Sequence, residues 1–195
     1  MTYVVRDVGI WIASSSKDGY KFLVRSGIGL NKIPVVELSN SPKRVLFMNN
    51  EIRRRPDCVV QCLETSTLLL QGNLPLDTVL ERFLQGFEAL RVLNMSGTRI
   101  HSMPLSLLQL GELRALLLGG CLNLEELPSL ERLNRLQVFN LISTTRIREL
   151  PRGIENLSNL KQLNLSHTHH LKTIQAGIIS QLSCLEVHSV VTVSV

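Results

Sequence analysis

Aromatic side chains are scarce. Phe, Trp and Tyr make up only 4% of the 195 residues, although hydrophobic residues make up 44%. Such a core must be filled by aliphatic side chains, as stacked layers that resemble one another require. Readers of single-stranded nucleic acid use aromatic platforms for base stacking, and none are interleaved with the basic runs Lys43-Arg44 and Arg53-Arg54-Arg55. With a net charge of only +5, these runs read as solvated basic faces, and no nucleic acid is expected as a partner. Cysteine is sparse too: only Cys58 and Cys62 lie close together, with Cys121 and Cys184 remote. No second close pair or well-spaced His completes a metal site. The thiols therefore read as reduced, in a cytoplasmic or nuclear setting. No apolar run approaches the roughly 20 residues of a membrane span. The stretch from Val4 to Ala13 contains Arg6 and Asp7 and lacks a basic leader, so no secretory signal is expected. A Gly-rich phosphate loop is absent. His167, His169 and His170 cluster without a nearby Cys or carboxylate, which favours solvated loop histidines over a metal site. The best carboxylate pair, Glu125-Glu126, consists of chain neighbours that point in different directions. Neither a catalytic centre nor a metal is expected.

What is present is a repeat. Leu90, Leu113, Leu136, Leu160 and Leu185 follow one another at steps of 23, 23, 24 and 25 residues. Around the first four runs one phrase: Leu90, Leu93, Met95, Thr98; Leu113, Leu116, Leu118, Cys121; Leu136, Phe139, Leu141, Thr144; Leu160, Leu163, Leu165, Thr168. That period and phrase are the signature of leucine-rich repeats, each of which stacks on the next. Extended backwards, the phase reaches Thr65, Leu68, Leu70, Asn73 and then Pro42, Val45, Phe47, Asn50. These degenerate units fit the atypical character of terminal repeats. About seven units are expected over 42–195, the last incomplete.

Within each unit the last two apolar residues alternate with polar ones, so a short strand with inward leucines is predicted, near 45–48, 68–70, 92–95, 115–118, 138–141 and 162–165. The column Asn50, Asn73, Thr98, Cys121, Thr144, Thr168 falls where the chain turns off the strand. A short polar side chain there can pair with backbone groups that the turn leaves buried. Cys121, a weak donor, is the soft spot of that column. A second apolar column follows, at Met103-Pro104, Leu127-Pro128, Leu150-Pro151 and Ile174, and then residues at helical spacing such as Leu107 and Leu110. Loose helical turns are wider than strands, so the array should bend into a right-handed arc with a concave strand face.

Ahead of the repeats, Val4, Val8, Trp11 and Ile12 form one stripe of an amphipathic helix over 3–15. Residues 20–41 read as a connector, in which Phe22-Leu23-Val24 and Pro34-Val35-Val36 are possible short strands. At the far end, Val187 to Val195 is β-branched and almost uncharged, an aggregation hazard on an open edge. It reads as the next repeat strand or an uncapped end, and self-association is expected either way.

Several phrases now resemble plant intracellular disease resistance proteins of the coiled-coil, nucleotide-binding, leucine-rich-repeat class. They are Met1 to Ser14, the connector Tyr20 to Val24, Leu68 to Asn73, and Phe87 to Ser96. The resemblance implies an α/β leucine-rich repeat solenoid preceded by a short winged-helix remnant, residues 1–19, from the end of the nucleotide-binding (NB-ARC) module. In that family a Met-His-Asp histidine contacts the ADP phosphates; the matching positions are Thr2 and Tyr3, a degenerate and inactive nucleotide-binding remnant. No cofactor is therefore expected in this chain, and ADP or ATP only in a full-length parent. The chain is expected to join the last piece of that module to the first several repeats.

The leading expectation is a recognition and autoinhibition module of a plant immune receptor, not an enzyme. Its partners would be a protein ligand (a pathogen effector or guarded host protein) and the parent's nucleotide-binding module. The alternative is a non-immune leucine-rich-repeat scaffold or adaptor. A third reading, an ATPase switch, requires an upstream module. The candidate contact residues flank the strands on the concave face: Arg91, Asn94, Arg114, Leu117, Gln137, Asn140, Lys161, Gln162, Asn164 and His167. Within them Asn94, Leu117, Asn140 and Asn164 form one column, with Leu117 as an exposed apolar spot amid amides.

Overall fold

The computed structural model describes residues 22–53, 60–172 and 178–186. The expected helix over 3–15, Thr2 and Tyr3, Cys58, and the run from Val187 to Val195 lie outside the described residues. Seven three-residue strands form one sheet in chain order: β1 (Phe22–Val24), β2 (Arg44–Leu46), β3 (Thr67–Leu69), β4 (Val92–Asn94), β5 (Ala115–Leu117), β6 (Val138–Asn140) and β7 (Gln162–Asn164). Every neighbouring pair is parallel. This is the leucine-rich repeat solenoid that the spacing predicts.

The register shows why the leucines recur. Leu23, Val45, Leu68, Leu93, Leu116, Phe139 and Leu163 are direct partners across the sheet, and all are buried. Each strand contributes one side chain to this column, since alternate residues point to opposite faces. The return path supplies the other wall: Leu107, Leu110, Leu130, Leu133, Ile154, Leu157 and Leu182 are buried in the same cluster. That path is helical only in short pieces. They are α1 (Val35–Leu38), α2 (Glu81–Gln85), α3 (Ile178–Gln181) and two 3₁₀ turns at Leu105–Gln109 and Ile154–Asn156. One is capped from the preceding repeat: both oxygens of Glu81 accept backbone N–H bonds, from Leu105 at 2.5 Å and Ser106 at 2.7 Å.

Two details depart from the sequence reading. The short strand read at Phe22-Leu23-Val24 is present as β1, but it pairs with β2 as part of the repeat sheet and not as a connector, whereas Pro34 to Val36 makes no strand but leads into α1. Conversely, the unit at Leu185 adds no strand among the described residues, although the Glu186 N–H still bonds Lys161 O at 2.9 Å. The reason β1 belongs to the series is visible in its turn. Five residues after each strand begins, the backbone enters the left-handed region, at Gly27, Asn49, Gly72, Gly97, Gly120, Ser143 and His167, with φ between 52° and 74°. Glycine holds four of these seven positions because it lacks the Cβ that penalises that conformation.

The next residue carries the polar column, and here the expectation is met. Asn73 is fully buried; its amide donates to Phe47 O and Leu70 O, each at 2.8 Å, and accepts the Ile52 N–H at 3.2 Å. Asn50 likewise donates to Arg25 O at 2.6 Å and accepts from Ile28 and Leu30. Thr98, Thr144 and Thr168 donate to the carbonyl three residues back, at 2.8, 2.6 and 2.7 Å. Cys121 breaks that pattern. Its thiol, whose pKa burial pushes up, donates across the repeat to Met95 O at 3.2 Å. Cys121→Thr is expected to stabilise the chain by about 0.5–1.5 kcal/mol by adding the missing bond to Leu118 O. A urea midpoint that falls in the variant would show that the site has no room for the hydroxyl.

Candidate functional site

The strands place two columns of side chains on the sheet face opposite the core. One runs Phe22, Arg44, Thr67, Val92, Ala115, Val138, Gln162; the other runs Val24, Leu46, Leu69, Asn94, Leu117, Asn140, Asn164. A third column precedes the strands. The N–H of Arg114 bonds Arg91 O, that of Gln137 bonds Arg114 O, and that of Lys161 bonds Gln137 O, each at 2.8 Å. These bonds stack Arg91, Arg114, Gln137 and Lys161 at the strand spacing of about 4.8 Å. Arg91, Arg114, Lys161 and Gln162 are exposed, and Gln137 is half-buried. Ten candidate residues scattered over 77 positions of sequence, from 91 to 167, thus fall on four strands, the residue that precedes each strand, and the turn that follows β7.

The amide column differs from its expected role. Asn94 is only 5% exposed, so it is not a free contact residue, and Asn140 and Asn164 are half-buried. In all three the side-chain oxygen accepts the N–H two residues on: Ser96 at 3.0 Å, Ile142 at 2.9 Å, Ser166 at 3.0 Å. This is an Asx turn, by which a short amide satisfies the chain as it leaves the strand. Leu117 makes no such bond and is half-buried, not the exposed apolar spot expected. The residue two further on is Gly119, where an added Cβ would lie 2.6 Å from the Ile142 side chain of the next repeat. His167 is exposed and occupies the left-handed turn position, with φ 59°. Its ring lies 5.9 Å from that of His169.

Val92, Ala115 and Val138 share the face with these residues and are half-buried. Sequence reading passed over them because they are apolar and look like core; only their register partner Gln162 stood out. Nearer the first strand the face is more apolar, with the Arg44 guanidinium 4.9 Å over the Phe22 ring.

A groove of about 560 Å³ is lined by Glu125, Arg146, Arg148 and His170. Arg146 pairs with Glu125 at 3.1 Å, an exposed contact that contributes little to stability. Among the described residues that line it there is neither a Ser, Thr or Cys nucleophile nor an oriented base. Among the described residues no group of three His, Cys, Asp or Glu could hold a metal ion. Cys62 is buried, its thiol pKa pushed up to about 11 by desolvation, which leaves it unreactive. No helix among the described residues is long and apolar enough to cross a membrane.

Comparison with known proteins agrees with this architecture. No protein-family model matches the chain. Disease resistance protein At4g27190 of Arabidopsis thaliana is 50% identical over 185 residues, 94% of this chain and 19% of that protein. Probable disease resistance protein At4g27220, also of Arabidopsis thaliana, is 46% identical over 130 residues, 67% of this chain and 14% of that protein. The chain thus spans less than a fifth of these relatives' length. Among solved structures, a Leptospira interrogans leucine-rich-repeat protein superposes with a TM-score of 0.67 at 22% identity, covering 80% of this chain and 39% of its own. The leucine-rich repeat domain of the type III effector XopL does so with a TM-score of 0.57 at 16% identity, covering 92% and 79%. At those identities the likeness concerns the fold.

Proposed function

We propose that this leucine-rich-repeat segment, homologous to the disease resistance proteins of Arabidopsis, is the recognition surface of a cytoplasmic plant immune receptor. It binds a protein ligand, a pathogen effector or a guarded host protein, through the sheet face of β4 to β7, and performs no catalysis. The observation that supports this most is the stacked row of exposed Arg91, Arg114 and Lys161 beside Gln162. Side chains on such a face are fixed in position by the strands yet not needed by the core, which lets a repeat array vary its contacts without losing its fold. In the parent the same segment also packs on the nucleotide-binding module and holds it off.

The test is an exchange of specificity. The outward residues of β4 to β7 are replaced by those of a disease resistance relative, within the parent receptor, and cell death is scored in leaves against each receptor's cognate pathogen. Recognition should follow the transplanted face. Recognition that stays with the recipient would place the ligand site elsewhere.

ADP and ATP, on this reading, are held by the parent's nucleotide-binding module. Isothermal calorimetry on the purified 195-residue chain should detect no ADP binding, because Thr2 and Tyr3 supply neither the imidazole nor the carboxylate. Micromolar binding would refute it.

A further inference from the structure

We infer that the sheet face of β4 to β7 binds an acidic, extended segment of its protein partner. This rests on that face being the recognition surface, and it names the chemistry recognised.

The face carries donors and few acceptors. Arg91, Arg114 and Lys161 are exposed, and none forms a salt bridge among the described residues, where the ion pairs are Arg25–Glu37, Arg135–Glu112 and Arg146–Glu125. From Arg91 to Asn164 the three outward columns hold no Asp or Glu. Arg91 and Arg114, like charges in adjacent repeats, repel one another and so favour an anion that bridges them, whereas Lys161 has the exposed Glu186 as the next residue of its column. The amides point the same way for a separate reason. The N–H groups of Ile142 and Ser166 need an acceptor, which fixes the oxygens of Asn140 and Asn164 toward the turns. An amide whose oxygen is held leaves its NH₂ as the group offered outward. A surface of guanidinium, ammonium and amide NH₂ groups fits carboxylates and backbone carbonyls.

Spacing narrows the partner further. Arg91 and Arg114 immediately precede the adjacent strands β4 and β5, about 4.8 Å apart, close enough for two guanidiniums to share one carboxylate. Lys161 lies two strands beyond Arg114, about 10 Å away. From the midpoint of the arginine pair Lys161 is about 12 Å away, so carboxylates at positions i and i+4 of an extended segment, on the same side and about 13 Å apart, meet the arginine pair and the lysine together. Val92, Ala115 and Val138, beside this row, accept the apolar residues between them.

The probe is a fluorescent deca-glutamate peptide, with deca-lysine as its counterpart, titrated by anisotropy into the full 195-residue chain at low ionic strength. Deca-glutamate should bind, deca-lysine should not, and the affinity should fall as salt screens the charges. The double variant Arg91→Glu, Arg114→Glu should weaken binding by at least about tenfold. Asn140→Asp is the sharper variant, because its carboxylate still accepts the Ile142 N–H and keeps the turn. It should weaken binding with the melting temperature unchanged. Arg152→Glu, exposed on the return path, should leave binding as it was. The inference is overturned if deca-glutamate fails to bind, if the double variant binds it unchanged, or if Arg152→Glu weakens it equally. Any of those results leaves the specificity exchange free to succeed, so the two claims fail separately.

Discussion

Leu116→Ala is expected to lower the unfolding free energy by about 2–5 kcal/mol. Leu116 is fully buried and sits between its register partners Leu93 and Phe139 in the middle of the sheet. Both neighbours are held at fixed strand spacing by backbone bonds, such as Met95 N–H to Leu117 O at 2.9 Å and Leu118 N–H to Asn140 O at 2.9 Å. The layers above and below therefore cannot collapse into the gap, and the cavity term adds to the lost transfer energy. Leu122→Ala makes the comparison, since Leu122 is 55% exposed and its loss should change stability by no more than about 0.5 kcal/mol. Urea unfolding followed by circular dichroism reads both. Equal effects would mean that the leucine columns are not the core.

Asn73→Ala should be as damaging without removing any apolar surface. The substitution strands Phe47 O, Leu70 O and the Ile52 N–H, which Asn73 now pairs. Each orphaned buried group costs about 1–3 kcal/mol, so a loss of about 3 kcal/mol or more is expected. Asn73→Thr should fall between Ala and the native residue. A threonine can donate to Leu70 O, as Thr98 does to Met95 O, but it cannot reach the previous repeat with a second donor. If Thr and Ala prove equally destabilised in the same urea titration, the backbone bonds are not what the column contributes.

The repeat was legible because its physics is local and periodic. A leucine column at a fixed step specifies strand, register and parallel stacking together, which is how Leu93, Leu116, Phe139 and Leu163 could be aligned without coordinates. β1 was harder to read. Its unit keeps Leu23 and Gly27 but has Arg25 where later units have Phe47, Leu70 or Met95, so the phrase is incomplete and the left-handed turn is the better marker. The candidate face was legible as a set of positions but not as a set of roles. Alternation shows which residues leave the core; it does not show that the oxygens of Asn94, Asn140 and Asn164 are held by the turn two residues on. The apolar members Val92, Ala115 and Val138 were missed for the converse reason, since composition alone cannot separate a contact residue from core filling.

Recognition by the sheet face is the central claim, and one comparison within the parent receptor tests it most directly. Arg114→Glu with Lys161→Glu alters the face, while Arg132→Glu with Arg152→Glu makes the same charge change at exposed positions of the return path. Both double variants are assayed for pathogen-triggered cell death at matched protein accumulation. The account predicts that the first pair abolishes the response and the second preserves it. A response that survives the first pair, or is lost equally with both, would contradict it.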